Sequence, residues 1–319
     1  MREVFFKNLS WQKIRIALSI SLLREEPLCI KGGWQFLEKN FELEPLWVSF
    51  KNFFDSSSCG ILSTSGEDII FYPQGISAGN IFIDTGAFTP LGEFELLLLP
   101  YLFFKDFRTV INFEGVTHAH KSYSTSFFKE SFFSFLESMG FYASMNLQRF
   151  GFYGSGGGRA ESRVYPAEMA PADIFSFKER NIHGAKIFMA NMNMEMAHKE
   201  KDFLQKNLSI AENRIQLIEV LDCSGMGNSI QIYIDCGGFF YIISADMEIY
   251  NSAGDLVFDE AKYYGALTSL VKETERFCKS KYIPHSLMAD LLPYMLLSKS
   301  TIPEEILQSE EYELFLNFH

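Results

Sequence analysis

Two short stretches carry side chains whose types and spacing could do chemistry. The first is THAHKSYSTS, residues 117 to 126, which sets Thr117 beside His118 and His120 and follows them with a run of hydroxyls. Two histidines at i and i+2 could share a metal ion, but a tetrahedral site needs a third protein ligand, and none is near in sequence. No metal site is therefore expected. The hydroxyls suit the start of a helix, where they accept from free backbone N–H groups and where an anion can settle. The second stretch is GFYGSGGGRAESRVYP, residues 151 to 166. Gly156, Gly157 and Gly158 leave room for a close backbone approach, and Arg159 follows them. No Gly-Lys-Ser/Thr comes next, so this is not a Walker A loop, and Arg159 stands where GxGxxG needs its last glycine. Two readings stay open: a tight strand-to-strand connection, or a nest of N–H groups holding an anion beside Arg159. Elsewhere, His285 and Asp290 lie on or beside a late helix, and Asp84 follows a strand. No order of serine, histidine and acid marks a nucleophile elbow.

The elements that must position these residues follow from periodicity. Residues 10 to 23 read as a helix with Ile14, Ala17, Leu18 and Leu22 on one face and Ser10 as its cap. DIIFYP and NIFIDTG read as strands. TPLGEFELLLLPYLFF reads as a helix capped by Thr89, with Pro90 first and Pro100 kinking or ending it. TVINFEG is a strand. SYSTSFFKESFFSFLESMGF is a helix that lines up Phe128, Phe132, Phe135, Leu136 and Met139 and stops at Gly140. Strands then lead into the glycine run and out of it. From about residue 181 the texture changes: KIFMANM is a strand, MEMAHKEKDFLQKNL a helix, and RIQLIEVL a strand. SIQIYID and FFYIISADM form a hairpin across Gly237 and Gly238. Helices return in DEAKYYGALTSLVKETERFCKSK and HSLMADLLPYMLL. This order divides the chain into a discontinuous body, 1–180 and 271–319, and a small inserted α/β unit, 181–270.

Bulk composition narrows the function classes. The chain of 319 residues carries a net charge of −12, so its overall field repels phosphate, and broad non-specific nucleic-acid binding is not expected. Any RNA contact must come from a local site. Five scattered cysteines without a CxxC fit a reduced, cytoplasmic protein. The apolar run IALSISLL is short and leads straight into REE, which fits a core helix better than a signal peptide or a membrane span. The 33 phenylalanines fall mostly in helical patterns and read as packing.

In order and wording, the pieces resemble the RNA 3′-terminal phosphate cyclase family. GFYGSGGG is similar to that family's GFYPxGGG, with Gly154 in place of proline. FEGVTHAHKSYS is similar to its RGGTH segment and the hydroxyl-bearing helix start that follows. DTGAFTPLGEFELLLLPYLFF resembles its DTGSAGS strand and LLP helix. ERNIHGAKIFMANMNMEMAHK resembles the entry to its inserted domain, and LMADLLPYMLLSK resembles its LADQLLPxxALA helix. The resemblance implies an α+β fold of three βαβ-type repeats with a small inserted α/β domain. It also implies a reaction that uses ATP and a divalent metal to adenylate a histidine. AMP then passes to an RNA 3′-phosphate, and the 2′-OH closes a 2′,3′-cyclic phosphate. On this resemblance Gln12, Arg15, Gly156, Gly157, Gly158 and Asp290 would meet the nucleotide, with Arg15 on phosphate and Asp290 on a ribose hydroxyl or metal-bound water. Thr117, His118 and Arg159 would meet the RNA end.

The departures from the family pattern carry as much as the matches. The family's opening EGGGQ reads NLSWQ here, so Gln12 and Arg15 survive, the acid and glycines do not, and Trp11 would crowd backbone that a nucleotide should approach. The arginine-rich RxxRxxPGLxxQH stretch has only IKGG and a distant EPLW in its place. The glutamine of ADQ is Leu291. The nucleophilic histidine of an HxxTN pattern should follow Asp290 by about twenty residues, where Tyr312 stands instead, and a phenol with an ordinary pKa of about 10 is a poor substitute for imidazole. The family's last strand is not expected beyond it, and His319 is a weak candidate. These departures predict a cyclase-like protein of impaired catalysis that acts by binding an RNA 3′ end or an RNA–protein complex. The alternative is an active ATP-dependent cyclase with a relocated histidine: His118, His120 or His319.

Overall fold

The computed structural model describes residues 1–317 apart from 77–78, 121, 178, 252–253 and 281–282, so His319 lies outside the described residues. The chain opens with β1 (Arg2–Val4), α1 (Trp11–Arg24), β2 (Leu28–Ile30), α2 (Gly33–Lys39), α3 (Glu44–Ser57), β3 (Gly60–Ser65) and β4 (Asp68–Pro73). β1 and β2 run parallel across the α1 crossover, and β4 and β3 complete an antiparallel edge in the order β1-β2-β4-β3. The same plan then repeats. It comprises β5 (Asn80–Asp84), α4 (Leu91–Leu102), β6 (Thr109–Gly115), α5 (Thr125–Phe127), a π-helical turn (Phe128–Phe132), α6 (Phe133–Ser138), β7 (Ala143–Arg149) and β8 (Gly158–Val164). Its sheet order, β5-β6-β8-β7, reproduces the first in both sequence and strand sense.

The third sheet differs. It is built from β9 (Asn181–Ala190), α7 (Met194–Leu208), β10 (Ile215–Glu219), β11 (Gly227–Asp235) and β12 (Phe240–Asp246), in the order β10-β9-β11-β12. Its parallel pair encloses α7, but the first strand is now interior and the second lies at the edge. Helix α8 (Glu260–Lys279) covers this sheet, and Phe277 stacks on Tyr241 at 4.2 Å. Residue 270 therefore falls inside a single helix. The chain ends its described course with α9 (His285–Ser298), α10 (Glu304–Leu307) and α11 (Glu310–Asn317). The mixed α+β class expected from the sequence is what the chain adopts.

Three helices, α1, α4 and α9, are buried on nearly every face and meet at the centre. A helix that is apolar all round must be enclosed by other elements, which is where IALSISLL, ELLLLPYL and LLPYMLL end up. Ser19 lets α1 and α4 approach closely by donating to the Leu97 carbonyl at 2.8 Å. Ser10 caps α1 as expected, accepting from the Lys13 N–H at 3.3 Å. The cap expected at Thr89 is not made. Pro90 takes that place, and Thr89 instead bonds Ser49 and the Pro45 carbonyl of α3. Pro100 does not end α4, which runs on to Leu102.

The phenylalanine-rich helix contains a feature that periodicity does not encode. Over Phe128–Phe132 it widens to a π turn, and Ser131 reaches the rim of the third sheet. Its hydroxyl donates to the Phe240 carbonyl and accepts from the Ile242 N–H, both at 2.9 Å. An otherwise bare strand edge is thus satisfied by one side chain of the second repeat. None of the five cysteines forms a disulfide. Among the described residues, no helix is long and apolar enough to cross a membrane.

Candidate functional site

The residues singled out in the sequence fall into two clusters. The first sits where the three central helices meet. Arg15 on α1 is 4% exposed, and its Nη2 lies 2.8 Å from Asp290 Oδ1 on α9. Its Nε lies 2.9 Å from Glu93 Oε2 on α4. Gln12 Nε2 donates to the same Asp290 oxygen at 2.9 Å and to the Ser286 carbonyl at 2.8 Å. The Trp11 indole donates to Glu93 at 2.9 Å. Burial alone would lower the guanidinium's pKa, but Asp290 and Glu93 outweigh it and hold the pKa above its ordinary value. Arg15 is therefore a permanent cation enclosed by two carboxylates.

Glu93 is the member of this cluster that the sequence reading missed. Its signal was available: a carboxylate inside LGEFELLLLPYL has to be paired when the helix is enclosed. Glu95, two residues on and so on the opposite face of α4, obeys the same logic with a neutral partner. It is fully buried, accepts from Ser162 at 2.6 Å, and is pushed by burial up to about 7.

The second cluster joins the THAH loop to the glycine turn. Thr117 Oγ1 donates to the Gly151 carbonyl at 3.1 Å and accepts from the Gly151 N–H at 3.0 Å. His118 is 1% exposed and stacks on Phe150 at 4.9 Å, with Phe152 and Phe188 beside it. Its Nδ1 faces Thr117 at 2.8 Å, while Nε2 has no partner among the described residues. Burial pushes its pKa down to about 3, so the ring stays neutral. His120 is exposed.

The glycines pack closely against neighbouring protein atoms. A Cβ on Gly158 would stand 2.5 Å from the Gly151 nitrogen, and one on Gly156 would stand 2.8 Å from the Gly86 carbonyl. Gly157 faces Ser224 of the third-sheet unit. Gly154, which replaces the family proline, has φ +89° and presses on the Tyr250 ring. Arg159 is largely exposed and lies 3.6 Å from Glu114. The neighbouring Arg149 reaches the third-sheet unit, at 2.9 Å from Asp222 and 3.2 Å from Ser224.

Near the chain start, Glu310 of α11 accepts from the Lys7 N–H at 2.7 Å and pairs with the Lys13 ammonium. Two residues on, the Tyr312 N–H donates to Ser309 Oγ at 3.1 Å, and its ring packs against the core. His285, the first residue of α9, is exposed. Among the described residues, no group of three or more His, Cys, Asp or Glu side chains converges as metal ligands. The structure thus joins Gln12, Arg15 and Asp290, separately joins Thr117, His118 and the glycines, and leaves Arg159 outside both.

Comparison with known proteins places this chain in a lineage. Residues 51–312 match the family model described as RNA 3′-terminal phosphate cyclase. The proteins of that name from Koribacter versatilis, Pseudomonas aeruginosa and Methanococcoides burtonii are 23%, 26% and 24% identical over 70%, 44% and 54% of this chain. The chain spans 64%, 41% and 52% of the length of those relatives. The family match begins after the NLSWQ segment, the part that departs most from the family pattern, and it ends at Tyr312. A match over that much of its length makes this chain a member of the RNA 3′-terminal phosphate cyclase family.

Proposed function

We propose that this family member works by binding an RNA 3′ end, or the RNA–protein complex that carries it, and does not form an adenylated intermediate. The supporting observation is the fate of Arg15, the guanidinium that would meet a phosphate. It is buried and shared between Asp290 and Glu93. Asp290 is consumed by the same pairing and by Gln12. These residues do not fit a nucleotide with its divalent metal. Nucleotidyl transfer also needs a nucleophile in line with phosphorus. His118 is sealed between phenylalanines, and Tyr312 holds the place where the family pattern puts its histidine. On this reading 1–180 and 271–319 form the body, and 181–270 is an inserted unit that shapes the binding face. One observation favours the active alternative: His120 is exposed at a cleft between the second repeat and the third-sheet unit.

Competition against a labelled RNA tests the binding reading. An unlabelled RNA ending in a 3′-phosphate should displace it at roughly tenfold lower concentration than the same RNA ending in a hydroxyl, the worth of one charge-assisted hydrogen bond. ATP should compete less well than either. Equal competition by the two RNAs, or a preference for ATP, contradicts the proposal.

A further inference from the structure

A cleft of about 680 Å³ adjoins the Arg15 cluster through Ser286, whose carbonyl accepts from Gln12, but is lined by neither Arg15 nor Asp290. One wall is β11, β12 and α8, and the other is His120, Ser122, Tyr123 and the start of α9. Its size suits a small organic ligand. Two polar atoms on its walls are buried without a partner among the described residues: Asp246 Oδ1 and Ser122 Oγ. Asp246 is only 5% exposed, and an unpaired buried carboxylate oxygen is costly unless something answers it. Burial pushes this carboxyl up to about 7 although Ser229 donates a hydrogen bond to it, which leaves Oδ1 as the unanswered oxygen.

The charge around the cleft specifies the sign of the missing partner. Glu42, Asp246, Glu248, Asp259 and Glu273 line it, against the ammonium of Lys262 among the described residues. Lys262 itself lies 3.6 Å from Glu248. A field of that sign repels phosphate and attracts cations. The rings of Tyr123, Tyr241 and Tyr263 also line the cleft, and aromatic faces add to the attraction for a positive charge.

We propose that this cleft binds an organic ammonium, either a free polyamine or a lysine side chain of a partner, with the ammonium answering Asp246. The proposal goes beyond the RNA-binding reading and does not depend on it, because amine occupancy is measured without RNA or nucleotide. The probes are spermidine and a short lysine-bearing peptide, titrated calorimetrically into the full chain at constant ionic strength, with potassium chloride and ATP as controls. Saturable one-to-one binding of an amine is expected, weakened at least tenfold by Asp246→Asn. Glu273→Gln gives a second reading should Asp246→Asn fold poorly. Tighter binding of spermidine identifies a free polyamine as the source, and tighter binding of the peptide identifies a protein lysine. Amine binding no stronger than that of potassium, unchanged by both variants, or displaced by ATP overturns the proposal.

Discussion

Arg15→Met is expected to lower folding stability by about 3–5 kcal/mol, the usual cost of removing one partner from a buried ion pair. The size follows from what is left behind. Asp290 is 5% exposed, and Glu93 loses the same cation while keeping only the Trp11 N–H. Two carboxylates without a counter-charge must then be desolvated or protonated. The loss should therefore be smaller in mild acid than at pH 8. Because the cluster ties α1 to α4 and α9, local fraying cannot relieve it. Urea midpoints with an unchanged slope would measure the effect as stability alone. Replacing Arg15, Glu93 and Asp290 together by apolar residues should recover much of the loss, because no buried charge remains. A cost below about 1 kcal/mol for Arg15→Met, the range of exposed pairs, would mean that water screens the cluster.

Glu95→Gln is expected to act in the opposite direction, and only at neutral to alkaline pH. Glu95 is fully buried in α4, and burial raises its carboxyl to about 7 despite the Ser162 hydroxyl. In the unfolded chain the group titrates near 4.3. Between those values the folded state keeps a proton that the unfolded state has released, so stability falls as pH rises through this window and stays low above it. Glutamine keeps the acceptor for Ser162 and carries no charge. The variant should match the parent near pH 4 and exceed it by up to about 3 kcal/mol at pH 8. Glu200 and Asp246 are raised to about 7 by burial as well, so the parent's own stability should peak in mild acid. A pH-independent difference between parent and variant would show that Glu95 is already ionised in the fold.

Periodicity reached the elements whose two faces differ. Helix α7 runs from Met194 to Leu208, the stretch read from the sequence, because its polar and apolar residues alternate at helical spacing. The β11–β12 hairpin followed from its two glycines. Helix α3 was missed, since its phenylalanines and Trp47 look like packing without saying against what. The π turn depends on Ser131 meeting a strand edge more than a hundred residues away, and that edge is not encoded locally. The candidate site shows the same division. Residue types such as Gln12, Arg15 and Asp290 were visible, but their pairing joins α1 to α9 across 275 positions and is set by the packing of three enclosed helices. Thr117, His118 and the glycines take part in tight internal packing, and small, polar and aromatic side chains suit packing and ligand contact equally well. Sequence spacing alone cannot separate those two uses.

The central claim, that no imidazole in this fold accepts AMP, is tested most directly by incubating the purified protein with α-labelled ATP and a divalent metal. The label remaining on the denatured protein is then measured. No protein-bound label is expected, with or without RNA ending in a 3′-phosphate. A stable phosphoramidate that disappears when His118, His120 or His319 is replaced would contradict the claim and identify the nucleophile.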